Sequence, residues 1–177
     1  MRMRSTALSA GLGLLLLATG AVPAAGQGYF DQYAIEDILS RRVDNLDSLP
    51  EVYYEYAVLD DSSGNSVIAR NRFYARIGDG RSEKGRERAQ LVELLNRQTI
   101  ENTPLGDTLV VPTRYGLDFR AYSPFPRYYP GAHDVDKIFI IHKKVQAFAA
   151  YEYGKLKRWG IVNTGDPDST ATPNGRF

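Results

Sequence analysis

The chain contains no cysteine, and only two histidines, two methionines and one tryptophan occur among its 177 residues. Without cysteine it forms no disulfide and offers no thiolate, so stability must come from core packing and the chain cannot by itself perform thiol chemistry. An N-terminal lipid-modified cysteine is excluded on the same ground. An excess of one charge sign is also missing. Lysine and arginine total 22 against 21 aspartates and glutamates, for a net charge of +1. That balance gives no footing to nucleic acid or an anionic membrane surface as partner. Long hydrophobic runs are scarce, with one exception at the N-terminus.

Arg2 and Arg4 precede an almost wholly apolar stretch from Ala7 to Ala21, centred on Leu14-Leu15-Leu16-Leu17. Small residues then follow at Ala21, Ala24, Ala25 and Gly26. A basic start, a short apolar centre and a small-residue exit make a secretory signal peptide over residues 1–25. The stretch is short for a membrane span, so no stable membrane anchor is expected after cleavage. The mature chain, about 150 residues, has room for one medium domain or two small ones.

What the full chain does have is 43% apolar and 24% charged residues, an ordinary globular balance, and an abundance of tyrosine: 12, against 7 phenylalanines. Tyrosine joins a large apolar ring to a polar tip and suits strands and half-wet binding surfaces. Phe30 to Val43 has helical spacing, with Phe30, Tyr33, Ala34, Ile38 and Leu39 on one side. Glu51 to Asp60 reads as a strand. The cluster Asp60-Asp61-Ser62-Ser63-Gly64-Asn65 reads as a turn, and Val67 to Ile77 as a returning strand, which together predict a hairpin. Glu83 to Arg97 is the strongest helix, with Ala89, Leu91, Val92, Leu94 and Leu95 inward and Glu87, Arg88, Glu93 and Arg97 outward. Thr108 to Val111 is a short strand closed by Pro112.

Over residues 113–134 prolines alternate with aromatics, as in Tyr122-Ser123-Pro124-Phe125-Pro126-Arg127-Tyr128-Tyr129-Pro130. Proline fixes φ and removes donors, so this stretch predicts an extended connector between an α+β module at 29–112 and a β-rich module at 135–177. In the latter, Lys137 to His142, Val145 to Tyr151 and Leu156 to Asn163 read as strands. Tyr153-Gly154 forms a turn that needs positive φ at the glycine. Arg176-Phe177 resembles the start of a fourth strand, so the pattern predicts a sheet that this sequence leaves unfinished.

Two stretches carry resemblances. From Lys137 to Phe177, an apolar strand is followed by Gln146 in a second strand, a Tyr153-Gly154-Lys155 turn, a third strand ending in Asn163-Thr164-Gly165, and the loop Thr172-Pro173-Asn174-Gly175-Arg176-Phe177. This order resembles the opening of a YkuD-type L,D-transpeptidase catalytic domain, with Gly165, Thr172, Pro173, Gly175 and Phe177 as scaffold-loop positions. The resemblance implies a periplasmic or cell-wall enzyme that cross-links peptidoglycan stem peptides through a cysteine thioester, with no metal and no organic cofactor. A thiolate attacks an amide at neutral pH and its thioester is resolved by an amine. The family's histidine–spacer–serine-x-glycine-cysteine motif lies downstream of the threonine-proline loop. No catalytic residue is carried over to this sequence.

The second resemblance is to a LysM module. Phe73-Tyr74-Ala75-Arg76-Ile77-Gly78-Asp79-Gly80 stands for its first strand and glycine-aspartate turn, Leu94-Leu95-Asn96-Arg97 for its helix end, and Leu105-Gly106-Asp107-Thr108-Leu109-Val110-Val111-Pro112 for its last strand. It departs from the pattern at Arg81-Ser82-Glu83-Lys84-Gly85, where the usual first helix is replaced. The resemblance implies binding of peptidoglycan or chitin glycan, with Asn96, Gly106 and Asp107 as candidate contacts. A non-catalytic, exported peptidoglycan-binding protein is the alternative to the enzyme reading.

Other constellations carry less. His142 reads as a half-buried strand residue, and Ser169 with His142 lacks a nucleophile elbow. His133-Asp134-Val135-Asp136 and Asp166-Pro167-Asp168 lack the length and order of a calcium loop. Gly78-x-Gly80 lacks the third glycine of a phosphate cradle. Lys143, Lys144, Lys155, Lys157 and Arg158 read as a solvated basic face. The signal-peptide reading predicts that the exported protein, sequenced from its N-terminus, begins within the Ala25–Gln27 window; an exported form that retains Met1 would contradict it.

Overall fold

The computed structural model describes residues 31–165 and 172–175, so the expected signal peptide, residues 166–171 and the Arg176-Phe177 pair lie outside the described residues. Among the described residues the chain is mixed α+β, with three α-helices and five strands in two small antiparallel sheets. No helix there is long and apolar enough to cross a membrane.

Helix α1, Gln32–Ser40, starts where Asp31 accepts from the Tyr33 and Ala34 backbone N–H groups. Only Ile38 of its apolar side is buried, and Tyr33 is 85% exposed. Strand β1, Tyr54–Val58, matches the strand expected over Glu51 to Asp60. The next segment differs from expectation. Val67 to Ile77 is not a returning strand but most of helix α2, Ser66–Ile77. The turn cluster ends in Asn65, whose side chain accepts from Val67 and Ile68 N–H and so caps a helix. Ala69, Phe73, Tyr74 and Ile77 are its buried residues, a helical and not an alternating spacing.

With no hairpin, β1 finds its partner about fifty residues on. Strand β2, Thr108–Pro112, pairs antiparallel with it from Tyr54↔Pro112 to Val58↔Thr108. Between them lie α2 and helix α3, Ser82–Asn96, packed into a tight pair. Gly85 permits that closeness: a Cβ there would fall deep inside the van der Waals envelope of the Tyr74 carbonyl. Ala57, Leu59, Phe73, Ile77, Val92 and Leu109 belong to the core that this unit encloses.

Glu93, expected on the wet side of α3, is only 6% exposed. Its carboxylate accepts from the Ile100 N–H at 2.9 Å and so caps the short 3-10 turn Ile100–Asn102. Burial raises its pKa above the ordinary carboxylate value; the Ile100 hydrogen bond opposes the shift and the Glu101 charge adds to it.

The proline- and tyrosine-rich segment is not a bare extended spacer. It forms 3-10 turns at Phe119–Tyr122 and Pro130–Ala132, and buries Phe119, Tyr122 and Ala132. Tyr129 N–H donates to Gly154 O, and Leu156 N–H donates to Arg127 O, so the segment pairs with the C-terminal sheet. That sheet has the order β3-β4-β5, with β3 at Lys137–His142, β4 at Ala147–Glu152 and β5 at Lys155–Ile161. The β4–β5 turn places Tyr153 at φ 47° and Gly154 at φ 73°, the two left-handed positions of a tight hairpin. A bulge shifts the β4–β5 register, pairing Tyr151 with Leu156 and Ala150 with Arg158. The extra residue, Lys157, lets Leu156 and Trp159 bury on one face despite their odd spacing.

A second core joins this sheet to the rest, uniting Ile38, Leu91, Phe119, Tyr122, Leu156 and Trp159. Replacing Gly85 by alanine is expected to cost about 3 kcal/mol by forcing α2 and α3 apart, readable as a lowered urea midpoint; an unchanged midpoint would refute this packing. For Glu93 the folded pKa is raised, so between about pH 4.5 and that higher value the folded state holds more protons and stability falls as pH rises. Glu93→Gln is therefore expected to flatten the pH profile there and to equal or exceed the parent stability at pH 7; a variant less stable at pH 7 would contradict this.

Candidate functional site

The scaffold positions singled out at the C-terminal end meet at one corner of the three-stranded sheet. Gln146 lies just before β4 at φ 53°, a left-handed position that turns its carbonyl toward Val162 N–H at 3.0 Å. Its side-chain oxygen accepts from the Thr164 N–H, also at 3.0 Å. Thr164 is buried, and its carbonyl accepts both the backbone N–H and the hydroxyl of Thr172, at 3.1 and 2.5 Å. The Thr172 carbonyl in turn accepts from Lys143 Nζ at 2.7 Å. Gly165 follows at φ 76°, its N–H bonded to the Asn163 side chain at 2.9 Å.

A continuous hydrogen-bond path thus runs from the β3–β4 loop through the end of β5 to the threonine-proline segment. Pro173, Asn174 and Gly175 are exposed and, with Thr172, line one wall of a cleft of about 610 Å³ whose other wall is β3. Phe177 of the scaffold-loop set lies outside the described residues. The cleft is apolar where Phe139 and Ile141 face it, 60% and 49% exposed, and basic at Lys137 and Lys143. His142 sits at the end of β3, exposed, where its Nδ1 accepts from Val145 N–H. Ser169, the serine weighed with it, lies outside the described residues, and among the described residues no cluster of three or more His, Asp or Glu side chains could hold a metal ion.

Of the three candidate glycan contacts, Asn96 ends α3 while Gly106 and Asp107 form the turn before β2, and they are differently engaged. The Asn96 amide nitrogen donates to Val92 O and Val110 O, each at 2.7 Å, and its oxygen accepts from Val110 N–H at 2.8 Å. Asn96 therefore clamps α3 to β2, with donor and acceptor both occupied. Gly106 takes φ 89° and donates its N–H to Leu59 O, while Asp107 accepts from Leu59 N–H through its carbonyl, extending the β1–β2 pairing. The Asp107 side chain is exposed and has no hydrogen-bond or ion-pair partner among the described residues.

The residues read as a first strand and glycine-aspartate turn, Phe73 to Gly80, form instead the end of α2 and the α2–α3 turn. There Lys84 and Arg88 bond to the Asp79 carboxylate at 2.6 and 3.0 Å and hold its pKa down at about 2.

A surface that residue-by-residue reading missed lies on β1. Tyr54, Tyr56 and Val58 alternate onto the outer face of the two-stranded sheet, and Tyr53 lies beside them. Tyr56 is 77% and Tyr53 65% exposed, while Tyr54 is tethered by its hydroxyl to Tyr122 O. The signal was present as the run Tyr53-Tyr54-Glu55-Tyr56, whose alternation puts Ala57 inward and Tyr56 outward. A wet tyrosine face of this kind offers flat rings and hydroxyls to a polar ligand.

Comparison with models of known protein families, with curated proteins and with solved structures finds no match to this chain. Because Asn96 makes three hydrogen bonds inside the fold, Asn96→Ala is expected to lower stability by about 2–3 kcal/mol, whereas Asp107→Ala leaves the unfolding midpoint nearly unchanged. Equal effects of the two variants in urea titration would contradict the clamp.

Proposed function

We propose that this protein acts at peptidoglycan, with an L,D-transpeptidase-type scaffold over residues 135–177 preceded by a LysM-like unit. The observation that carries the reading is the Gln146–Thr164–Thr172–Lys143 path. The features on which the resemblance rests are far apart in sequence, yet they converge on one corner of the sheet. The antiparallel pairing of β1 with β2 around α2 and α3 supports the LysM-like part through its C-terminal half alone, because Phe73 to Ile77, which the resemblance takes as the first strand, lies in α2.

The activity proposed for the domain type is acyl transfer between stem peptides through a cysteine thioester. This chain has no cysteine, so it cannot itself form that thioester. What its own residues supply is a frame: Gln146 and Lys143 fix the threonine-proline segment alongside β3, and the cleft between them is shaped for an extended peptide with basic groups at its rim.

The second reading, a non-catalytic wall-binding protein, is favoured by the exposed Tyr53 and Tyr56 beside the sheet that carries Asp107. Exported to the periplasm or cell wall, such a protein would hold glycan strands on that face.

Both readings predict that the purified protein sediments with isolated peptidoglycan sacculi. Tyr56→Ala with Asp107→Ala should reduce retention at least fivefold if the glycan face contributes, with the fold unchanged by circular dichroism. Mixed with stem-peptide donors and amine acceptors, the chain should give no new cross-links. Absence from the sacculus pellet would sink both readings, and cross-linking by the chain alone would refute the cysteine-dependent route.

A further inference from the structure

A second cavity lies at the β5 edge of the C-terminal sheet, away from the β3 edge, and nothing in the peptidoglycan reading uses it. Its volume is about 300 Å³, at the small end of the range for small-molecule sites. Leu94 of α3, Phe148 of β4, Ile161 of β5 and the Trp159 ring supply an apolar floor, and Ile35 and Leu39 of α1 form a side wall. The charge lining it is unbalanced: three guanidiniums, from Arg42, Arg120 and Arg158, stand against the single carboxylate of Asp118.

The imbalance has a simple structure. Asp118 and Arg120 neutralise one another in a buried pair, Nε to Oδ1 at 3.0 Å and Nη2 to Oδ2 at 2.6 Å, closed further by bonds to Val43 N–H and Val43 O. Two cations are left over. Arg42 uses one of its five N–H donors on Lys157 O at 2.6 Å, and Arg158 has no hydrogen-bond or ion-pair partner among the described residues. Both stand exposed at the mouth of the cavity, open to an incoming anion. The Arg42 pKa is lowered by burial first and then by the nearby Arg120; the Asp118 carboxylate opposes the shift and Arg158 adds to it. Arg158 and Trp159 are consecutive in β5 and point to opposite faces, which leaves Arg158 exposed while Trp159 is buried.

We propose that this cavity binds a small carboxylate with an apolar body, the carboxylate meeting Arg42 and Arg158 and the hydrocarbon lying on Phe148, Trp159 and Ile161. Planar guanidinium forks match a carboxylate in bidentate geometry, and an apolar slot beside them rewards the hydrocarbon by its removal from water. A neutral ligand of the same length would gain the second term and leave the two cations uncompensated. The site requires no transpeptidase or glycan-binding activity, so it stands apart from the peptidoglycan reading.

The chain's one tryptophan is Trp159, so its emission reports occupancy directly. Sub-micellar decanoate titrated into the full chain should give a saturable change in Trp159 emission, with decanol at least tenfold weaker. Arg158 is exposed, so Arg158→Gln keeps the fold; it should weaken decanoate about tenfold and leave decanol unchanged, and Arg42→Gln should act in the same direction. No saturable response, equal affinity for decanoate and decanol, or an Arg158→Gln variant that binds decanoate like the parent would each overturn the assignment.

Discussion

The contact between Trp159 and Phe119 ties the two halves of the structure together. The rings stack with centroids 4.5 Å apart and planes 5° from parallel, and the indole N–H donates to the Phe119 carbonyl at 2.7 Å. One residue thus satisfies the apolar and polar needs of a buried tryptophan with a single partner. Phe119 belongs to the proline- and tyrosine-rich segment, and Trp159 to the last strand of the C-terminal sheet. Beside them the Asp118–Arg120 pair grips Val43 through its N–H and its carbonyl, fixing the chain that leaves α1. A buried ion pair is costly to desolvate and is tolerated here because the Asp118 oxygens also accept from the Arg120 and Val43 N–H groups and Arg120 Nη2 also donates to Val43 O.

From that junction the functional surfaces take their positions. The bulge that turns Trp159 inward also leaves Lys157 and Arg158 consecutive and outward, giving the sheet one face for the core and one charged rim. At the other side of the sheet, the Gln146–Thr164–Thr172 path holds the threonine-proline segment along β3. Edge strand β3 exposes Phe139 and Ile141, an apolar edge of the sort that natural sheets usually cover or charge, and Lys137 and Lys143 stand at its two ends. The proposed action on an extended wall peptide draws on that edge, while the exposed tyrosine face of β1 is the separate surface proposed for glycan.

Much of this was legible in the sequence. A β-rich run identified β1, alternation identified β4, and the Tyr153-Gly154 pair identified the hairpin between β4 and β5. Helix α3 followed from its apolar stripe. The failure at α2 is instructive: Phe73, Tyr74 and Ile77 have high strand propensity, and a nearby turn invited a hairpin, yet Asn65 was a helix cap and Ala69, Phe73 and Ile77 recur at intervals of four. Periodicity outweighed propensity. Glu93 was placed outside because charge predicts exposure, but the following 3-10 turn needed an acceptor for the Ile100 N–H. Proline content made residues 113–134 read as a spacer; proline forbids ladders, yet it does not stop Phe119 and Tyr122 from packing. Of the candidate site, the order of the scaffold residues was readable, whereas the cavity beneath Trp159 depends on a register shift that no local pattern announces.

The central claim is that residues 135–177 form the opening of an L,D-transpeptidase-type scaffold. Reading the coding frame downstream of the Phe177 codon in the source genome tests it most directly. An open frame that continues into a histidine–spacer–serine-x-glycine-cysteine motif is the expected result, since that motif would supply the nucleophile the scaffold is proposed to serve. A stop codon immediately after Phe177 would contradict the claim and leave the wall-binding reading in its place.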